Sequence, residues 1–94
     1  MCELFIGQPK ENYMVRSRSI RILGHITSIR LENKYWAVLD EMSEIEGKSR
    51  AQFISELYSE ALDRNIDIRN FTSLLRTSCV VFLENKNSTS LSQM

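Results

Sequence analysis

Thr27-Ser28-Ile29-Arg30-Leu31-Glu32 decides the fold of this chain. The stretch reads as a short strand that runs directly into a helix. Thr27, Ile29 and Leu31 fall on one face, and Ile26, Ser28 and Arg30 on the other, because side chains alternate across a strand. A strand this short needs a partner. The neighbouring sequence offers no second strand of matching quality with clear turn chemistry. The expected partner is therefore the same strand of a second copy, giving an antiparallel two-stranded ribbon on a two-fold axis.

Three amphipathic stretches follow. Tyr35, Trp36, Val38, Leu39, Met42 and Ile45 recur with helical spacing and predict a first helix over Asn33 to Glu46. Glu32 or Asn33 caps it, and with Glu32 at the cap Leu31 and Trp36 form a hydrophobic staple. Asp40, Glu41, Glu44 and Glu46 read as its solvated face, and Gly47 ends it. Ser49 with Gln52 three residues later is a capping-box pattern. It opens a second helix with the stripe Ala51, Phe53, Ile54, Leu57, Tyr58, Ala61 and Leu62, running to about Arg64. A third helix is expected from Phe71 to Glu84, capped by Asn70. Phe71, Leu74, Leu75, Cys79 and Phe82 form one side, widened by Val80, Val81 and Leu83. A face so broad implies burial between other elements or within a dimer. Arg76 on this helix either pairs with an acid or adds to a basic surface.

Upstream the pattern is weaker. Residues 16–24 read either as a strand or as an extended basic arm, with Arg16, Arg18 and Arg21 set against Ile20 and Ile22. Arginines spaced along an extended chain suit phosphate contact, and a solvated edge segment is the plain alternative. Gly24-His25 gives the chain a place to bend. Cys2-Glu3-Leu4-Phe5-Ile6 has strand-like content that Gly7-Gln8-Pro9 ends. The expected divisions are an N-terminal arm or extra strand over 1–25, a core over 26–64, an additional helix over 65–84 and a disordered tail over 85–94.

Composition narrows the function. The chain has 94 residues, 43% of them hydrophobic, and no formal net charge, with 12 basic and 12 acidic residues. It is one small domain of the size that tends to dimerise. The charges are uneven: residues 1–30 carry an excess of three positive charges and residues 31–94 an excess of three negative ones. Neutrality argues against indiscriminate polyanion binding, and the asymmetry leaves room for one basic surface. Two distant cysteines, no signal peptide and no apolar run of membrane length point to a reducing cytoplasmic setting. Cys79 reads as core. One histidine and scattered cysteines make no metal site, and no cofactor is implied. His25 stands beside no obvious nucleophile, no triad spacing appears, and three glycines form no phosphate loop. Catalysis is not expected.

The ribbon carries the functional reading. A two-stranded antiparallel ribbon fits the major groove of B-DNA. Its outward residues Ile26, Ser28 and Arg30, doubled across a dimer, would face the bases. Arg30 suits guanine, Ser28 a base edge and Ile26 a thymine methyl. Lys48-Ser49-Arg50 at the start of the second helix joins free backbone N–H groups, a hydroxyl and two cations, which suits a phosphate oxygen. The Tyr35-Trp36 pair reads as core. This mechanism stands on two chains sharing one ladder near Ile29; a strand laddered only to the chain's own N-terminal region would remove its basis.

The order strand, helix, glycine turn and capped helix resembles the ribbon-helix-helix superfamily. The string Arg18-Ser19-Ile20-Arg21-Ile22-Leu23-Gly24-His25-Ile26-Thr27-Ser28-Ile29-Arg30-Leu31-Glu32, followed by Tyr35-Trp36, is more specific. With Met1-Cys2, Asn70-Phe71-Thr72-Ser73-Leu74-Leu75-Arg76 and Cys79 it resembles a bacterial family of small, largely uncharacterised ribbon-helix-helix domain proteins with a third helix, over residues 1–84. The resemblance implies a mainly α fold, an intertwined homodimer with an intermolecular two-stranded ribbon, and double-stranded DNA as partner, in repression or antitoxin-like regulation. By position it implies base reading by Ile26, Ser28 and Arg30 and phosphate anchoring at Ser49 and Arg50. Two departures stand out: Ile26 is apolar where many members place a polar reader, and the net charge is zero. The third helix lies outside the minimal fold and suits a tetramer or a protein partner. The alternative reading is a protein-interaction module that keeps the fold and reads no DNA.

Overall fold

The computed structural model describes residues 2–92, with side chains through residue 86. Strand β1 spans Val15–Ile22 and strand β2 spans His25–Glu32. They form a two-stranded antiparallel sheet within one chain, with Ile22 opposite His25 and Val15 opposite Glu32. The expectation that β2 finds no partner strand in its own chain is thereby corrected. The two residues joining the strands, Leu23 and Gly24, have φ of +50° and +84°, the left-handed pair that a tight hairpin needs. Leucine is an unusual occupant of the first position, so the turn lacks the Asn-Gly signature that would have announced it.

A two-residue loop closes on a hydrogen-bonded pair, and such pairs then alternate along the ladder. Asn33 N–H donates to Met14 C=O at 2.8 Å and continues that series past the strand ends. The main-chain groups of Ile26, Ser28 and Arg30 therefore point to the open edge of β2, away from β1.

Helix α1 covers Cys2–Ile6, where strand-like content led to a different expectation. No strand is available there to pair with it, and the local bonds of a short helix satisfy the backbone instead. A 3-10 turn at Lys10–Asn12 follows. Helix α2 runs Asn33–Ile45 with Glu32 at its N-cap, and Gly47 turns the chain at φ +69°. Helix α3 runs Arg50–Asp63, and Ser49 Oγ accepts from Gln52 N–H at 3.1 Å, as the capping pattern requires. A 3-10 turn at Ile68–Asn70 leads into helix α4, Phe71–Ser92. Asp67 caps the 3-10 turn, its carboxylate accepting from Arg69 N–H at 3.0 Å, and Asn70, expected as the cap of the next helix, is the last residue of that turn.

Helix α4 continues through residues 85–92, where a disordered tail was expected; residues 93 and 94 lie outside the described residues. No glycine or proline follows Phe71, so nothing in the backbone stops the helix. Lys86 pairs with Glu41 on α2 and ties this end to the body.

One core joins the hairpin, α2, α3 and α4. Ile20, Ile22, Ile29 and Leu31 come from the hairpin, and Trp36, Val38 and Leu39 from α2. Ile54 comes from α3, and Phe71, Leu75 and Cys79 from α4. Tyr58 and Phe71 meet edge to face with centroids 5.1 Å apart, a favoured aromatic geometry. The buried Cys79 thiol lies 3.7 Å from the Tyr35 carbonyl and is pushed up to about 11 by burial, so it is an unreactive core residue. Val80, Val81 and Leu83, which widen the apolar face of α4, remain exposed in the single chain.

Candidate nucleic-acid interface

The register assigns every hairpin side chain to a face. Arg16, Arg18, Ile20 and Ile22 lie on the inner side, opposite Leu31, Ile29, Thr27 and His25 respectively, with Arg16 and His25 exposed at its two ends. Ser17, Ser19 and Arg21 point outward, opposite Arg30, Ser28 and Ile26. The six outward residues are all exposed, Ile26 at 70%. Ile26, Ser28 and Arg30 thus lie on the surface expected for them. Within the single chain they share it with three residues of β1.

This surface is basic. Residues 15–31 contain four arginines and no acid. Arg21 and Arg30 take part in no ion pair among the described residues. Their guanidiniums are free to meet an incoming acceptor.

Arg16, Arg18 and Arg21 do not act as one row, because alternation separates them. Arg21 is outward, while Arg18 turns in over Trp36. The Arg18 guanidinium carbon lies 5.5 Å from the Trp36 ring centroid and that of Arg50 5.3 Å from it. Both are within cation–π range. Trp36 Nε1 donates to the Arg16 carbonyl at 2.9 Å, which fixes the ring between β1 and α3. Burial, then the nearby Arg50 charge, lower the pKa of Arg18 from its ordinary value. Its Nε is buried with no hydrogen-bond partner among the described residues. Trp36 is thus core, as its spacing implied, and it also bears two arginines that spacing alone could not place.

The start of α3 stands beside this stack. Arg18, Ser19 and Ile20 of β1 and Ser49, Arg50 and Ala51 line an open cavity of about 510 Å³. The hairpin edge and the α3 N-terminus are therefore neighbours, and the first-turn N–H groups supply fixed positive potential there. Arg50 is not a free cation. Its Nη1 lies 2.8 and 3.0 Å from the two carboxylate oxygens of Asp40. Asp40 accordingly is more than part of a solvated face. Lys48 pairs with Glu56, one turn and more along α3. Of the four cations expected to meet phosphate near α3 or on β1's inner side, Lys48 and Arg50 are paired, and Arg16 and Arg18 have no acidic partner among the described residues.

Arg76 pairs with Glu32 at 3.1 Å and lies 5.9 Å from the Tyr35 centroid, which joins α4 to the end of β2. A backbone hydrogen bond at Glu32 itself, assisted by Arg76, holds that carboxyl below the usual carboxylate range. Among the described residues no three His, Cys, Asp or Glu side chains stand close enough to hold a metal ion. No helix there is long and apolar enough to cross a membrane.

A basic hairpin feeding two consecutive helices is the arrangement of a ribbon-helix-helix domain with an added C-terminal helix. The family model described as "Ribbon-helix-helix domain" matches residues 15–83, and the chain belongs to that family. Its structure is similar to that of an uncharacterized protein from Bordetella pertussis Tohama I. The two share 37% identity with a TM-score of 0.89, over 95% of this chain and 71% of the other. Among curated proteins none matches this chain.

Proposed function

We propose that the chain binds double-stranded DNA as a dimer and acts in transcriptional regulation. The outer face of each β1–β2 hairpin enters a major groove, and the start of α3 holds a flanking phosphate. Family membership supports a DNA-binding, regulatory role in general. The observation that carries the specific reading is the outer hairpin face: unpaired Arg21 and Arg30 among exposed serines, on a segment without acids.

Arg30 and Arg21 have the fork geometry for guanine O6 and N7, the serines reach base edges, and Ile26 suits a thymine methyl. The N–H groups at Ser49, with Arg18 beside them, suit a phosphate oxygen. The intrachain hairpin alters how a groove is entered. With β2 laddered to the chain's own β1, the form of the mechanism that needs one ladder shared by two chains loses its basis, and the ribbon proposed to enter the groove is instead the one complete within each chain. The open edge of β2 still permits pairing with a second β2. That would create four strands spanning about 14 Å between the outer two, against a groove about 12 Å wide. Insertion is therefore best served by two hairpins kept apart.

Selection from genomic fragments at several salt concentrations, followed by footprinting, tests this. Salt-sensitive binding to a preferred sequence is expected. Arg30→Ala should cost about 1–3 kcal/mol for a bidentate contact and relax the preference at one base pair. Unchanged affinity and preference in that variant reject the assignment of Arg30.

The second reading is a protein-interaction or antitoxin-like module with weak or no DNA binding. The exposed Ile26, Leu23 and Val15 on the hairpin favour it. Absence of binding even at low salt, with a protein partner co-purifying, supports that reading instead.

A further inference from the structure

Two guanidiniums share one indole beside the start of α3. The Trp36 ring centroid lies 5.5 Å from the Arg18 guanidinium carbon and 5.3 Å from that of Arg50, and the ring's Nε1 is tied to the Arg16 carbonyl at 2.9 Å. Buried and so tied, the ring fixes where both cations lie. Like charges this close repel. Burial first, then the Arg50 and Arg16 charges, lower the Arg18 pKa, and the Asp40 charge opposes them. Arg18 Nε is buried with no hydrogen-bond partner among the described residues. An excess of positive charge and of N–H donors is thus built into this corner.

Asp40 answers part of that excess. It reaches from α2 to α3, where Arg50 Nη1 donates to both of its oxygens at 2.8 and 3.0 Å. One nitrogen serves both oxygens, so the pair lacks the two-nitrogen fork that arginine makes best with a carboxylate or phosphate. Asp40 is also half exposed, and an ion pair so open to water contributes little and exchanges readily. The cavity of about 510 Å³ between β1 and α3 has no acid in its lining, which includes Arg18, Ser49, Arg50 and Ala51. The N–H groups of Arg50 and Ala51, in the first turn of α3, have no intrahelical partner. The cavity therefore offers its donors to an oxyanion, and Asp40 holds one of them from outside it.

We propose that Asp40 is a built-in competitor for phosphate: its carboxylate holds Arg50 until a phosphate oxyanion enters the cavity and takes the guanidinium over. The exchange replaces a one-nitrogen pair with a two-nitrogen one and gives Arg18 an anion to face. It also weakens phosphate binding by the strength of the pair that must be broken. Phosphate contacts carry no sequence information, so restraining one of them leaves more of the discrimination to the outer hairpin face. The proposal rests on the proposed function for the source of the phosphate, the DNA backbone.

Duplex DNA and inorganic phosphate, titrated separately into the full chain, test this. Trp36 is the single tryptophan and lies under both guanidiniums, so its fluorescence reports the exchange. Asp40→Asn keeps the side chain's shape and removes its charge, and a half-exposed position puts the fold at little risk. This variant should bind up to about fivefold tighter, the strength of a part-exposed ion pair. Its salt dependence on DNA should steepen by about one, because no freed carboxylate takes up a cation. Glu44→Gln makes the same charge change at an exposed position of α2 and should do neither. In an Arg50→Gln background the gain from Asp40→Asn should vanish. No fluorescence response to either ligand overturns the proposal. So does an Asp40→Asn variant that binds no tighter than wild type, gains no more than Glu44→Gln, or keeps its gain without Arg50. A gain with DNA alone supports it with the backbone as the source. A gain with inorganic phosphate alone supports the competitor role for a free anion and rejects the DNA-binding reading.

Discussion

Along β2, residues one position apart have opposite fates. Ile29 and Leu31 are sealed against the helices, whereas the alternating Ser28 and Arg30 are exposed. The inner face of the hairpin answers to shape, since its isoleucines and Leu31 interlock with Trp36 and Leu39. The outer face carries no packing duty and is free to be chosen for a partner. Arg18 is the exception that defines the boundary. It lies on the inner side but ends the apolar row, where the stack of guanidiniums on Trp36 replaces aliphatic packing.

The sharpest test of this division is a truncation on the buried side. Leu31 is fully buried at the point where hairpin, α2 and core meet. Leu31→Ala removes apolar contact and leaves a cavity, and should lower unfolding free energy by about 3 kcal/mol. Urea unfolding measures it. A loss under about 1 kcal/mol would mean that the inner face is not the structural one, since core leucines rarely collapse so well.

Much of this division is legible in the sequence. Ile26, Ser28 and Arg30 separate from Thr27, Ile29 and Leu31 by alternation alone, and the two helices after them announce themselves by caps and stripes. The partner of β2 is harder. Half of the inward positions on β1 near its start are arginines, so the strand lacks the apolar period that marks one, and Leu23-Gly24 is an uncommon turn pair. Treating Arg16, Arg18 and Arg21 as one row followed from leaving residues 16–24 open between a strand and an extended arm. With β1 assigned, Ser17 and Ser19 would have joined the outer face, and Arg18 would have left it. The stack on Trp36 and the Arg50–Asp40 pair depend on where α3 lies against β1, which no local pattern encodes. The arm and the end of α4 defeated sequence reading for one reason: composition reports what a segment buries, not whether its backbone is helical.

A smaller effect probes where the two faces meet, at the end of β2. Glu32 is held below the usual carboxylate range by a backbone hydrogen bond and by Arg76. A depressed carboxyl stabilises the fold fully above its unfolded value, about 4.3, and loses that contribution as pH falls through its folded value. The pair is about one-third exposed, so solvent limits it. Glu32→Gln should cost under about 1 kcal/mol at neutral pH, and wild type and variant should converge in acid below about pH 4. Urea midpoints across that range provide the check. Parallel curves down to acid pH would show that the Glu32 charge does not couple α4 to the hairpin.

The smallest expected effect is on the outer face itself. Ile26 is a large apolar residue at 70% exposure, opposite Arg21. Ile26→Thr keeps the β-branch that suits a strand and removes an apolar group with no packing partner in this chain. Its unfolding free energy should shift by no more than about 0.5 kcal/mol. DNA affinity should change at no more than one position of the preferred sequence, the one where a thymine methyl is lost as a contact. A stability loss above about 1 kcal/mol that grows with protein concentration would break the comparison. Ile26 would then be covered by a second copy, through the open edge of β2, and the outer face would be an interface between chains before it is a surface for bases.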